Sequence, residues 1–251
     1  MLNPLRNLYQ GALFHVGQRV RSRHLLAAVA RHAPASGRIL DAGSGGGLLA
    51  LAVAAGHPAL RVDGIELASE KVTQCEAEAA ARGLRNVRFA VGDLTAIGRP
   101  GEYDLIYSVD VLEHVPDDET AMRSIAAALR PGGIALIHVP RAHPRRFFAA
   151  LEDHHQDDHV RDGYEPSELA SRLRAAGLAE VSIGRTFGPA GELAWELAQV
   201  LRQGRPSRLR ELVHVALSPV LAVLCELDYR LGGGGEGNGL LVVARRPAAG
   251  S

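Results

Sequence analysis

The sequence predicts an α/β fold, a doubly wound and mostly parallel sheet with helices on both faces. Three observations predict it. Apolar runs of strand length alternate with helix-period segments from residue 38 to residue 139. Between the first such run and the first following helix, Gly43, Gly45, Gly46 and Gly47 crowd into one turn. Each apolar run of this part then ends in or beside a polar residue, at Asp41, Glu66, Asp93, Ser108 to Asp110, and His138.

The elements follow in order. Residues 5–32 suggest one or two helices, with Leu25, Leu26, Val29 and Ala30 at helical spacing and arginines on the other face. Pro34 and Gly37 break this run, and residues 1–36 are expected to form a helical cap ahead of a main domain over 37–251. Arg38 to Asp41 forms the first strand, and Leu48 to Ala55 a helix. Leu60 to Glu66 forms a strand after the Gly56-His57-Pro58 turn, Ala68 to Arg82 a helix closed by Gly83, Asn86 to Gly92 and Tyr103 to Val109 two further strands. Glu119 to Arg130 reads as a helix stopped by Pro131-Gly132-Gly133, and Ile134 to Val139 as the fifth strand. The rhythm then changes. Residues 140–164 are irregular and rich in histidine; a helix runs from Glu165 to about Ala176, and Val181 to Gly184 is a strand. Helical stretches near 190–203 and 207–231 form an insert over 186–237, and the glycine run from Gly232 leads as a connector into the last strand, Gly239 to Ala244.

Composition narrows the classes. Formal net charge is zero, so no global field recruits nucleic acid or another polyanion. Lys71 is the only lysine, and the arginine clusters at 19–23, 141–146 and 202–210 read singly as solvated faces. Two distant cysteines, Cys75 and Cys225, build neither a disulfide framework nor a metal knuckle, which points to a reducing, cytoplasmic setting. The N-terminal residues lack a signal-peptide profile, and the apolar stretch Leu212 to Cys225 is shorter than the ~20 residues of a membrane span.

The glycine turn carries the chemistry. Glycines let a backbone take positive φ and lie against a bound molecule, and the helix N-terminus behind them favours an electron-rich group. An acid about twenty positions further on is placed to accept hydrogen bonds from a ribose, and Glu66 meets that spacing. A nucleoside-containing cofactor follows. The run Gly45-x-Gly47-x-x-Ala50 also satisfies the loose dinucleotide fingerprint, so NAD stays open on the glycines alone.

Here the sequence resembles a known family. Asp41-x-Gly43-x-Gly45-x-Gly47, Gly64-Ile65-Glu66, Val91-Gly92-Asp93-Leu94, Tyr103 to Ser108, Val111-Leu112-Glu113-His114-Val115 and Leu129-Arg130-Pro131-Gly132-Gly133 are similar to the motifs of class I S-adenosylmethionine-dependent methyltransferases. The likeness is close over roughly 37–140. Beyond it, Ser167 to Gly177, Val181 to Gly184 and Gly237 to Val243 match the family's usual ending. The resemblance implies a Rossmann-like seven-stranded sheet with an antiparallel last strand, and S-adenosylmethionine as cofactor. It implies that Gly43, Gly45 and Gly47 admit the methionine half, that Asp41 anchors the ammonium, and that Glu66 takes the ribose hydroxyls. Asp93 and Leu94 would hold the adenine, and backbone around Ser108 and Val109 would face the methionine moiety.

Methyl transfer needs mainly a well-placed acceptor, with a base only where a proton must leave. His138 and His114 are the candidates, Glu113 and His159 the alternatives. In Glu152 to His159 the histidines and carboxylates are nearly consecutive, without the spacing that aims ligands at one point. That segment is expected to cover the acceptor and to hold no metal, with His159, Arg161 and Tyr164 as substrate-side contacts. Asp110-Val111-Leu112 stands where enzymes acting on base amino groups carry an Asn/Asp-Pro-Pro-aromatic tetrapeptide, so the expected acceptor is a small molecule offering oxygen or nitrogen, lipid-like compounds and secondary metabolites included. The insert departs from the family. Leu209, Leu212, Val213, Leu217, Val220, Val223 and Leu227 wrap most of a helix, which must be buried in the core, in a homodimer, as a lid, or by peripheral contact with a membrane. Two rival functions remain: an NAD-dependent oxidoreductase, and a non-catalytic S-adenosylmethionine-binding partner subunit.

Overall fold

A computed structural model describes residues 16–148, 151, 159–202, 208–232 and 237–248. The expectations for residues 1–15, for the histidine-rich run at 152–158, for the break at 203–207 and for most of the glycine connector fall outside these residues. Seven α-helices lie among the described residues: α1 Val16–His32, α2 Leu48–Gly56, α3 Ser69–Ala81, α4 Asp118–Ala128, α5 Pro166–Ala175, α6 Pro189–Arg202 and α7 Arg208–Arg230. The strands are β1 Gly37–Ala42, β2 Leu60–Glu66, β3 Val87–Val91, β4 Tyr103–Val109, β5 Leu129–Pro140, β6 Ala179–Thr186 and β7 Gly239–Arg245.

They form one seven-stranded sheet in the order β3-β2-β1-β4-β5-β7-β6. Strands β1 to β5 pair in parallel, and β7 runs antiparallel to both β5 and β6. The chain moves outward from β1 to β3 and then returns to lay β4 on β1's other side. That reversal leaves a crevice beyond the carboxyl ends of β1 and β4, where ligands of such sheets bind. Fold class, strand set, antiparallel last strand and helical insert all agree with the sequence reading.

One apolar cluster fills each face of the sheet. Leu40, Ile106, Met122, Ile137 and Leu173 pack under α4 and α5, while Ile39, Leu51, Val53, Val62 and Leu105 pack under α1, α2 and α3. Helix termini carry their expected signals. Asp117 caps α4 by accepting from the Thr120 N–H at 3.0 Å, and Asp118 and Glu119 in its first turn suit the helix dipole. Pro166 opens α5, and Gly177 follows its end with φ +95°.

The helix expected to run to Arg130 stops at Ala128. Leu129 is already extended (φ −66°, ψ 143°), and the Leu-Arg-Pro-Gly-Gly segment enters β5. The residue before a proline is pushed out of the helical region, which excludes Arg130 from α4. A Cβ on Gly133 would stand 2.9 Å from the Arg130 carbonyl oxygen and 3.1 Å from that of Tyr103, so the turn closes only on glycine.

A third cluster joins α1 to the insert. Val16 and Val20 meet Phe187, Ala194, Ala198, Leu221 and Cys225. Asp228, itself buried, accepts from the Gly191 N–H at 3.2 Å and lies 3.2 Å from His24 Nε2, tying α7 to both α6 and α1. Helix α7 is buried on one face only, along Leu217, Leu221, Leu224, Cys225 and Asp228. Leu212, Val220 and Val223 are exposed, so packing within the chain covers one face of the expected apolar helix and leaves the other open. Inside α7, Pro219 cannot donate to the Val215 carbonyl; the Ser218 hydroxyl donates there instead, at 2.9 Å. No helix among the described residues is long and apolar enough to cross a membrane.

Candidate active site

The carboxyl end of β1 is held open by its neighbours. Gly43 and Ser44 both donate backbone N–H bonds to the Ile65 carbonyl, at 3.0 and 2.8 Å, so the glycine loop folds back over β2. Gly47 enters α2 at φ +72°, where a Cβ would lie 2.8 Å from Cys75 Sγ and 3.0 Å from Phe89. Side chains on β3 and α3 therefore forbid anything larger there. Gly45 and Gly46 are different, because a Cβ on either would meet nothing within 4 Å. They border a cleft of about 870 Å³, also lined by Asp41, Glu66, Asp93, Leu94 and Val109. A cleft of this size suits a small molecule or cofactor.

Four carboxylates line that cleft: Asp41, Glu66, Asp93 and, toward the second cavity described below, Asp110. Asp41 is 2% exposed, and its Oδ2 has no hydrogen-bond partner. Burial pushes its carboxyl up to about 7, against the opposing effect of the Tyr107 hydroxyl and the Ala50 amide. Such a group ionises readily once a cation reaches it. Glu66 accepts from the Gly45 N–H at 3.0 Å and from the Ala68 N–H at 3.2 Å, with Lys71 Nζ 3.7 Å away. It braces the loop and still has lone pairs for hydroxyl donors, since a carboxylate accepts about four bonds. Asp93 caps a short 3₁₀ turn by accepting from the Thr95 N–H at 2.8 Å, and it borders the cleft beside buried Leu94. Ser108 is buried in β4 with its hydroxyl unpaired, one residue before cleft-lining Val109.

A second cavity, of about 420 Å³, adjoins the first; both are lined by Arg21 and Asp110. Its wall includes His138, Arg141, His159, Phe187 and Trp195. His138 lies near the end of β5 with both ring nitrogens engaged: Nδ1 is 2.5 Å from Asp110 Oδ1 and Nε2 is 2.8 Å from Thr186 Oγ1. Asp110 takes φ +50° and also pairs with Arg21. Burial opposes its charge, but the Arg21 guanidinium and His138 outweigh it and hold the carboxyl well below the usual range. An ionised Asp110 accepts from Nδ1, so in the neutral imidazole Nε2 is the nitrogen left to accept from the Thr186 hydroxyl.

His114 borders the larger cleft and His159 the smaller, with their rings edge-on at 4.6 Å. Arg161 and Tyr164 line neither cavity. The Arg161 guanidinium donates to the Leu112, Val115 and Pro116 carbonyls at 2.6, 2.9 and 3.2 Å. Tyr164, fully buried, donates to Asp118 at 2.7 Å. In place of the expected substrate contact, these two clamp the segment after β4. Sequence reasoning missed Arg21. Its neighbours Arg19 and Arg23 made it one of a solvated series, and nothing local in α1 signals that Asp110 lies opposite.

The chain matches a family model described as a methyltransferase domain over residues 15–183. It belongs to that methyltransferase family. The chain is 30% identical over 162 residues to the ubiquinone biosynthesis O-methyltransferase of Bordetella bronchiseptica, a match covering 61% of this chain and 66% of the relative. It is 32% identical over 158 residues to the enzyme of the same name from Xanthomonas axonopodis pv. citri, covering 59% and 65%. The match thus spans just under two thirds of these relatives. Among solved structures, phosphoethanolamine N-methyltransferase 2 of Haemonchus contortus, in complex with S-adenosyl-L-methionine, aligns with TM-score 0.67 at 18% identity, over 98% of this chain and 60% of that one. The [4+2]-cyclase SpnF aligns with TM-score 0.60 at 21% identity, over 90% and 81%. At these identities the likeness is one of fold, and a cyclase among the neighbours shows that this methyltransferase fold does not by itself choose a reaction.

Proposed function

We propose that this chain transfers the methyl group of S-adenosylmethionine to a hydroxyl oxygen of a small aromatic acceptor. One observation carries the reading: a buried carboxylate with an unpaired oxygen, Asp41, faces a cleft whose floor is glycine without side chains. The residues present suit that cofactor. Asp41 would pair with its ammonium, Glu66 would accept from its ribose hydroxyls, and Asp93 and Leu94 would border its adenine. When bound, the cofactor supplies a methyl group on a positively charged sulfur, a carbon already activated for in-line displacement. The chain's own task is then to orient an acceptor in the adjoining cavity and exclude water from it, and positioning of this kind supplies much of a rate.

Phe187 and Trp195 line the smaller cavity with aromatic side chains, and Arg21 and Arg141 line it with cations. An aromatic hydroxyl fits that lining, and the name of the curated relatives supports oxygen as the acceptor atom. In this reading His138, held by Asp110 and Thr186, would accept the hydroxyl proton at Nε2. Calorimetric titration with S-adenosylhomocysteine should show one site per chain. Incubation with labelled S-adenosylmethionine and a panel of phenols and catechols should then yield methyl ethers by mass spectrometry. Absence of nucleoside binding at millimolar concentration ends this reading.

A further inference from the structure

Three arginines line the smaller cavity, Arg21, Arg141 and Arg146, and two of them are matched within the chain. Arg21 pairs with Asp110, and its guanidinium stands 5.8 Å from the centre of the Phe187 ring. Arg146 pairs with Glu192 and lies over the Trp195 ring at 4.8 Å. Each thus has an acid and an aromatic ring. Arg141 has neither. Among the described residues, Asp162 of the same wall included, its guanidinium joins no ion pair, and its Nε is shut off from solvent without a hydrogen-bond partner. Its backbone, by contrast, is fixed on two sides. The Arg141 N–H donates to the Asn238 carbonyl at 2.8 Å, while the Tyr164 N–H donates to the Pro140 carbonyl at 3.0 Å and the Ala142 N–H to that of Tyr164 at 3.1 Å. Gly163, at φ +139°, lets these segments touch; a Cβ there would stand 2.7 Å from the Arg141 carbonyl carbon.

We propose that Arg141 anchors an oxyanion carried by the methyl acceptor, a carboxylate or a phosphate, and so sets the charge of the substrates this cavity admits. A guanidinium withdrawn from water is costly until an anion meets it. Its planar fork presents parallel N–H donors that match the edge of a carboxylate or phosphate, and such charge-assisted bonds are about twice as strong as neutral ones. Backbone that is held before the ligand arrives lowers the entropy lost in making the contact. A neutral ligand would cover Arg141 further without supplying its missing partner. Position along the chain suits the role. Arg141 follows His138 by three residues (141 − 138 = 3), at most about 10 Å of extended backbone. A hydroxyl at His138 and an anionic substituent at Arg141 are then two ends of one small molecule. Calling this ligand the acceptor rests on the methyltransferase reading; the anion site does not.

Trp195 is the single tryptophan of the chain and lines this cavity, so its fluorescence reports occupancy there. The full chain is titrated with benzoate, phenyl phosphate and uncharged benzamide, the two anions separating carboxylate from phosphate. The better anion should bind at least about tenfold more tightly than benzamide, the gain of a charge-assisted bond. Arg141→Met should reduce that preference to less than about twofold, and Arg141→Lys, which keeps the charge without the fork, should retain part of it. Arg174→Met, exposed on α5, should leave it unchanged. Equal affinity for benzamide and both anions, or no saturable response to either anion even at tens of millimolar, overturns the proposal on the wild-type chain alone. So does a preference that survives Arg141→Met. S-adenosylhomocysteine affinity is measured on the same samples. Nucleoside binding without the anion preference sinks this inference alone, and the preference without nucleoside binding sinks the functional reading alone.

Discussion

The two walls of the active site are built by different means. The cofactor wall, residues 41–94, is assembled from local pieces: a glycine loop bonded to the next strand, and carboxylates at successive strand ends. The smaller cavity, proposed above for the acceptor, and the scaffold behind it are assembled from distant ones. Arg21 reaches Asp110, His24 reaches Asp228, Arg146 reaches Glu192, and the Phe147 and Phe148 amides donate to Glu196. Buried Glu192 and Glu196 on α6 thus hold the chain beyond β5 against the insert. The contrast teaches that a chain can keep one wall nearly self-contained while the other depends on ion pairs closed only in the folded state.

That contrast can be broken first at Asp41. Asp41→Ala should raise the dissociation constant for S-adenosylhomocysteine by about 100-fold, the ~3 kcal/mol of a desolvated charge pair. A change below threefold in calorimetry would detach Asp41 from the ligand. Next come the glycines, which separate folding from binding. Gly47→Ala forces positive φ and a clash with Cys75 and Phe89, and should cost about 2–3 kcal/mol in denaturant unfolding. Gly46→Ala meets no atom within 4 Å; it should leave stability within ~0.5 kcal/mol while weakening the nucleoside about tenfold. Equal effects on stability would erase the distinction.

On the other wall, Asp228→Ala leaves the Gly191 amide and His24 without their acceptor. It should cost about 2 kcal/mol in unfolding and alter nucleoside affinity by less than about threefold. A large loss of nucleoside affinity would show that the walls are coupled. The smallest effect is a proton. The Asp41 carboxyl, raised to about 7, is protonated in the free protein below that pH and must ionise to meet an ammonium. Binding should release up to one proton per ligand below about pH 7 and tighten up to tenfold per pH unit, levelling above it. The sign reverses for the free protein: unfolding ionises this acid between its unfolded pKa of ~4 and 7, so stability falls as pH rises through that window. Calorimetry in buffers of different ionisation enthalpy reads the proton count directly, and no release at pH 6 would contradict the raised carboxyl.

Much of the sheet could be read from residue patterns. The Tyr103 to Val109 strand agrees end to end, and α5, α6 and α7 fall within a residue or two of their expected limits. These features depend on neighbours in the chain. What escaped were side-chain destinations. Arg161 and Tyr164 were expected at the acceptor and clamp a loop instead; Arg21 was expected on a solvated face and stands between both cavities. The apolar residues of α7 were expected to be covered by core, homodimer, lid or membrane contact, and within the chain only the face toward α1 and α6 is covered. Periodicity tells which residues share a face, not what lies opposite.

By itself, the order of residues determined the strand–helix alternation, the glycine loop and the acids at the strand ends, because short-range sterics and hydrogen bonding act on adjacent residues. Only the tertiary structure decided that β7 would lie between β5 and β6, that Asp110 would join Arg21 to His138, and that His159 would stand beside Glu113 and His114. Those meetings join residues from 28 to 111 positions apart (138 − 110 = 28; 245 − 134 = 111). Their geometry exists only once the sheet and the helices over it have packed.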